Sequence, residues 1–122
     1  MIKVIIAGTR TFSNYELLKS KCDYYLAELV KDNPITIVSG KEPNGADKLG
    51  EAYAKEMGYP VDPYPADWDT LDKAAGPIRN KAMAQEADIA IIFWDGKSPG
   101  SKNMISQCKK YDVKYRVINY IA

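Results

Sequence analysis

The sequence predicts an α/β fold built on a doubly wound, mainly parallel five-stranded sheet with helices on both faces. Three observations carry that expectation. Three apolar runs, Val4-Ile5-Ile6-Ala7, Ile35-Thr36-Ile37-Val38 and Ile89-Ala90-Ile91-Ile92-Phe93, are continuous rather than alternating, as suits strands buried on both faces. Segments of helical periodicity separate the strands, so the chain reads β-α-β-α-β-α-β-α-β, which right-handed crossovers turn into a parallel sheet. Each run also closes on a glycine beside polar residues, at Gly8-Thr9-Arg10, Ser39-Gly40 and Trp94-Asp95-Gly96. Glycine lets backbone approach a ligand closely, and open α/β sheets bind ligands at these carboxyl ends.

The elements follow in order. The first strand starts within Met1-Ile2-Lys3-Val4 and closes at Gly8. Ser13 with Glu16 three residues on has the form of a capping box, and Tyr15, Leu18, Cys22, Tyr25 and Leu29 recur at helical spacing until Asp32-Asn33-Pro34 stops the helix. After the second strand, Gly45-Ala46-Asp47 opens a helix whose Ala46, Leu49, Tyr53 and Met57 share a face, and Gly58 and Pro60 end it. A short third strand covers Val61 to Tyr64, and the stretch from Asp67 to Ala75 is ambiguous. Gly76-Pro77 places proline at the first position of a helix carrying Arg79, Asn80 and Met83, which leads into the strand Ile89 to Trp94. A turn from Gly96 to Ser101, a helix with Met104, Ile105 and Cys108, and a strand from Tyr115 to Tyr120 complete the chain.

Length and composition limit the function classes. At 122 residues the chain reads as one domain, residues 1–122. A chain of that size buries roughly two thirds of its unfolded surface and needs no staples. With 17 basic and 16 acidic residues it has no global field to collect nucleic acid or an anionic membrane. No run approaches membrane-spanning length and the first residues enter a strand directly, so a cytoplasmic location is expected. Cys22 and Cys108 fall in predicted helices and read as reduced apolar fillers. The sequence has no histidine, which removes histidine-based acid–base and metal chemistry, and two isolated cysteines do not make a zinc site. No metal site and no cofactor are expected; magnesium would enter only as a bridge to a bound nucleotide phosphate.

The turns carry the chemistry. Gly8, Thr9, Arg10 and Thr11 put backbone N–H groups, hydroxyls and a guanidinium at one strand end, a set suited to phosphate, or else form a plain turn with an exposed arginine. The loop from Ser39 and Gly40 to Gly45, Ala46 and Asp47 lacks both the Walker A ending and the dinucleotide spacing, yet it can offer helix N-terminal amides to an anion. Asp47 reads either as a first-turn acid of its own helix or as a ligand for ribose hydroxyls, since a phosphate contact would be repulsive. Asp67, Trp68, Arg79, Asn80, Trp94 and Asp95 form the third group. The tryptophans could stack a base and Arg79 could grip a phosphate, or the rings could be packing and the guanidinium a surface ion pair.

Taken in order, Gly8-Thr9-Arg10-Thr11-Phe12, Ser39-Gly40 with Gly45-Ala46-Asp47, Pro65-Ala66-Asp67-Trp68, Ala75-Gly76-Pro77-Ile78-Arg79-Asn80 and Trp94-Asp95-Gly96-Lys97-Ser98 with Gly100-Ser101-Lys102-Asn103-Met104 resemble the YspA-like, YpsA-related branch of the SLOG superfamily. That superfamily is similar to the Rossmann-like domain of DprA and to the Lonely Guy enzymes. The resemblance implies nucleotide or nucleotide-derived ligands and a Rossmann-like sheet of order 3-2-1-4-5. It further implies that Gly8 to Thr11 face Trp94 to Gly100, and that Arg10, Arg79 and the loop holding Gly96, Ser98, Gly100, Ser101 and Lys102 form one phosphate cradle. The chain departs from the pattern twice. Its Ser39-to-Asp47 loop is one residue longer than the family's and lacks an arginine, and Ser98 to Ile105 offers no acid where Lonely Guy enzymes carry a catalytic glutamate.

Three functions are therefore expected in order. The first is a module that senses or sequesters a nucleotide-derived small molecule. The second is a hydrolase of an N-glycosidic or phosphoester bond, with Asp67 or Asp95 as base or hydroxyl ligand and Arg79 stabilising developing negative charge. The third is nucleic-acid binding. Nine tyrosines, including Tyr24, Tyr25, Tyr111, Tyr115 and Tyr120, raise the further expectation of a homo-oligomer, because interfaces are enriched in tyrosine.

Overall fold

A computed structural model of the chain describes residues 1–121. Five strands, β1 (Ile2–Gly8), β2 (Ile35–Ser39), β3 (Val61–Pro63), β4 (Ile89–Trp94) and β5 (Lys114–Asn119), form one sheet of order β3-β2-β1-β4-β5. Every pairing is parallel, with β1 central, facing β2 from Ile2↔Ile35 and β4 from Val4↔Ile89 to Gly8↔Phe93. This is the predicted order, and it brings the ends of β1 and β4 side by side.

Strands β1, β2 and β4 bury both faces, as their unbroken apolar runs require, while the edge strands β3 and β5 are more exposed. Val4, Ile6, Ile37, Ile91 and Phe93 pack on one face with Leu18, Cys22, Tyr53 and Ala54 from helices α1 (Tyr15–Leu26) and α2 (Ala46–Met57). Ile5, Ala7, Val38 and Ile92 pack on the other face with Met83, Met104 and Cys108. These come from α4 (Ala75–Glu86) and α5 (Pro99–Lys110). The short helix α3 (Trp68–Leu71) and a 3-10 turn (Asp72–Ala74) occupy the stretch that the sequence left ambiguous. Both cysteines are free and buried. No helix among the described residues is long and apolar enough to cross a membrane.

Several boundaries differ from expectation for local reasons. The cap of α1 is Asn14, whose Oδ1 accepts from Leu17 N–H at 3.0 Å, so Ser13 lies outside the helix and the capping box does not form. The helix ends at Leu26, short of Asp32; turns follow, and Leu29 still reaches the core edge. Met57 is exposed rather than on the packed face of α2. Pro77 is the third residue of α4, because the 3-10 turn runs directly into that helix. First-turn N–H groups have no intrahelical acceptor, so proline costs no hydrogen bond there. Pro99 instead holds the first position, in α5. Of the tyrosines, Tyr53 is buried and donates to Asp23 Oδ1 at 2.7 Å, Tyr15, Tyr25, Tyr59, Tyr64, Tyr111, Tyr115 and Tyr120 pack at the core edges, and Tyr24 stands in solvent.

Candidate functional site

A cavity of about 490 Å³ opens at the carboxyl edge of the sheet, within the range of small-molecule sites. Its floor is β1, at Ala7 and Gly8, with Met83 and Met104 giving apolar surface. Gly8 has φ +155°, and a Cβ there would lie 2.1 Å from Phe93 O. Only glycine lets β1 and β4 meet this closely. Thr9 continues the junction: its N–H donates to Phe93 O at 2.9 Å, and its Oγ1 accepts from Asp95 N–H at 3.2 Å.

Arg79 and Asn80, one turn into α4, tie three elements around the cavity. Asn80 is buried; its Oδ1 accepts from Arg79 Nε at 2.9 Å, and its Nδ2 donates to Gly100 O at 3.2 Å and Asn103 Oδ1 at 3.1 Å. The Arg79 guanidinium donates to Gly40 O at the end of β2. Arg79 forms no ion pair with any of the described residues, so it is not the surface salt bridge that the sequence allowed.

Asp47, the second residue of α2, is 7% exposed and lines the cavity. Burial pushes its carboxyl up to about 6, against the opposing pull of a hydrogen bond from Glu42 N–H at 3.2 Å and of the nearby Arg79 charge. Gly40 keeps the approach open, since a Cβ there would lie 2.6 Å from Arg79 Nη1 and 2.8 Å from Asp47 Oδ2. The loop between is held by an ion pair and by side-chain hydrogen bonds. Arg10 pairs with Glu42 at 3.4 Å, and Glu51 accepts from Ser39 Oγ at 2.6 Å and Lys41 Nζ at 2.9 Å. Burial raises Glu51, but those two hydrogen bonds together with the Lys41 charge outweigh it and leave its pKa below the ordinary value. Gly45, at φ +77°, starts α2 where a Cβ would lie 2.4 Å from Thr9 O, and Ala46 N–H donates to that same carbonyl at 3.4 Å.

The start of α5 forms the opposite wall. Ser98 precedes the helix without a side-chain cap, Pro99 is its first residue, and Lys102 N–H makes a bond back to Ser98 O. The N–H groups of Gly100 and Ser101 therefore have no acceptor within the helix. Ser101 lines the cavity, is 4% exposed, and its Oγ has no hydrogen-bond partner among the described residues. An orphaned buried hydroxyl is costly unless a ligand or water satisfies it. Trp68 covers the mouth: its ring edge lies against Gly76, and 45% of the residue is exposed.

The other expected site residues take structural positions. Trp94 donates from Nε1 to Ser98 O at 3.0 Å and packs against the second core cluster. Asp95 Oδ1 accepts from Lys97 N–H and Ser98 N–H, both at 2.8 Å, and these bonds hold its pKa below the usual value. Asp67 caps α3 through Thr70 N–H at 3.2 Å and faces a separate hollow of about 290 Å³. Thr11, Gly96 and Lys102 are exposed, and Ser39 lies beneath its loop. Asp67 and Asp95 therefore lie outside the cavity lining, while Gly8, Arg10, Gly40, Asp47, Trp68, Arg79, Asn80, Ser98, Gly100 and Ser101 form part of it. Sequence reasoning omitted Glu42, Lys73 and Asn103 from the site. Glu42 belongs to the lengthened loop and Lys73 to the ambiguous stretch, where no periodicity marked a facing side.

A family model described as "YspA, cpYpsA-related SLOG family" matches residues 2–71. No curated protein sequence matches the chain. Among solved structures, DNA processing protein A from Helicobacter pylori, described for its single-stranded DNA binding mode, is similar at TM-score 0.65 and 24% identity. The match covers 95% of this chain and 64% of that one, so this chain spans under two thirds of its neighbour. The C-terminal domain of a Pyrococcus furiosus hydrogenase is similar at TM-score 0.49 and 19% identity, covering 96% of this chain and 91% of that one.

Proposed function

Because the chain belongs to the YspA, cpYpsA-related SLOG family, we propose that its cavity binds a nucleotide or nucleotide-derived small molecule, as a sensing or sequestering module. The observation that carries the reading is the unpartnered Ser101 Oγ, buried in the cavity wall at the start of α5. A helix N-terminus favours negative charge through its unpaired N–H groups and its dipole, and a hydroxyl among them supplies a further donor to a phosphate oxygen. Trp68 offers an aromatic face for a base at the mouth, and the apolar floor suits ribose carbons. Hydrolysis has less support, because Asp67 and Asp95 are occupied by backbone N–H groups outside the cavity lining.

Titration calorimetry with nucleoside 5′-mono- and diphosphates tests the proposal. Ser101→Ala is expected to weaken binding about 10-fold, the value of one hydrogen bond to a charged group, with the melting temperature unchanged or raised. Failure of the native protein to bind any nucleotide, or equal affinity in the variant, would overturn it. Single-stranded DNA is the rival ligand suggested by the Helicobacter pylori neighbour. Tight oligonucleotide binding that falls steeply with salt would favour that reading instead.

A further inference from the structure

We infer that the Asp47 side of the cavity receives the vicinal hydroxyls of ribose, so that the site selects ribonucleotides over 2′-deoxyribonucleotides. The inference rests on the nucleotide reading and specifies its substrate class. The cavity has three chemically different surfaces: the start of α5 with Ser101, the Trp68 ring, and the Asp47 carboxylate. The first suits an anion and the second a planar base. An ionised carboxylate is acceptor-only and repels phosphate, so it takes a part of a nucleotide that donates hydrogen bonds. Two neighbouring sugar hydroxyls match its two oxygens.

The surroundings of Asp47 leave that capacity unused. Glu42 N–H on Oδ2 is the one hydrogen bond that the carboxylate receives among the described residues. Arg79, the nearest cation, is held by Gly40 O and Asn80 Oδ1 and makes no ion pair with Asp47. Glu42 from the loop and Glu51 from α2 add negative potential, while Lys41 is tied to Glu51 and Arg10 to Glu42. Gly40 carries no side chain to cover the group. A buried carboxylate with one hydrogen bond and no ion pair destabilises the fold, and such a cost persists where a ligand needs the charge.

The test compares each ribonucleoside 5′-mono- and diphosphate with its 2′-deoxy counterpart by calorimetry, in the native protein and in Asp47→Asn. Near pH 7.5 the native protein is expected to bind the ribonucleotide about 10- to 100-fold more tightly, as the loss of a charge-assisted hydrogen bond dictates. The ratio should shrink to within about 3-fold in Asp47→Asn, and likewise in the native protein near pH 5, where Asp47 is protonated. Phosphate titration near pH 6 affects both sugars equally and cancels from the ratio. Equal affinity for the two sugars, with Ser101→Ala still weakening both, would overturn the ribose inference and leave the nucleotide reading standing. A ratio that Asp47→Asn leaves unchanged would likewise overturn it. Absence of nucleotide binding altogether would remove both.

Discussion

Gly8→Ala is expected to destabilise the protein by about 3 kcal/mol or more, a large part of the margin of an ordinary domain. Residue 8 ends the central strand, and its Cβ would lie 2.1 Å from Phe93 O and 3.0 Å from the Ala46 side chain. The first contact is with backbone, so relief requires β1 and β4 to part, which breaks the Thr9 N–H to Phe93 O bond and opens the cavity floor. The φ of +155° adds strain for any L side chain. Gly100→Ala is the control, because a Cβ there meets nothing within 4 Å, and Gly100 lies in the first turn of α5; its effect should stay within about 0.5 kcal/mol. Urea denaturation measures both. A Gly8→Ala midpoint equal to that of the native protein would mean that the strand junction tolerates separation.

Asp47→Asn is expected to act in the opposite direction at neutral pH and to raise stability by roughly 2–3 kcal/mol. Burial lifts the folded pKa of Asp47 to about 6 from the ordinary 3.8. The folded state therefore binds its proton more tightly than the unfolded state does. The associated stability is complete below about pH 4, is lost as pH rises through about 6, and is absent at neutral pH. Asparagine is neutral throughout and keeps an acceptor for Glu42 N–H. The two proteins should therefore have matching melting temperatures near pH 4 and diverge above about pH 6, with the variant the more stable. A gap that does not change with pH would mean that Asp47 is not buried as a charge. The prediction also guards the ribose experiment, since loss of discrimination in Asp47→Asn could not be assigned to unfolding.

The parallel sheet was readable because the chain repeats one unit, an apolar run followed by glycine and a helix, whereas the strand order came from the resemblance to the SLOG family. The cavity edge was readable from the glycines that close the strands, of which Gly8 and Gly40 line the cavity and Gly96 does not. Individual roles were less readable, because a polar residue at a strand end has local and ligand uses that sequence does not separate. Asp95 and Asp67 each found N–H groups two or three residues ahead, a geometry available to any acid opening a turn. Trp94 found a carbonyl four residues ahead. Asp47 looks equally like a cap in the sequence, yet its helix has no side-chain cap bond, and the carboxylate turns into the cavity. Ser101 was marked only through the resemblance, as one residue of the cradle loop, because its importance lies in the missing partner.

The pairing of β1 with β4 also bears on how the molecule is made. The strands on either side of the junction are more than 80 residues apart in sequence, with Val4 facing Ile89 and Gly8 facing Phe93. A chain emerging from the ribosome can join β1, β2 and β3 early, but the central strand then keeps one open flank until β4 arrives. During that interval Val4, Ile5 and Ile6 expose unpaired backbone and apolar surface, the conditions under which nascent chains aggregate. Ser101 follows later still, so a nucleotide bound as proposed could not assist the early steps of folding. Such a nucleotide would meet a complete site only once α5 has joined the edge formed by β1 and β4.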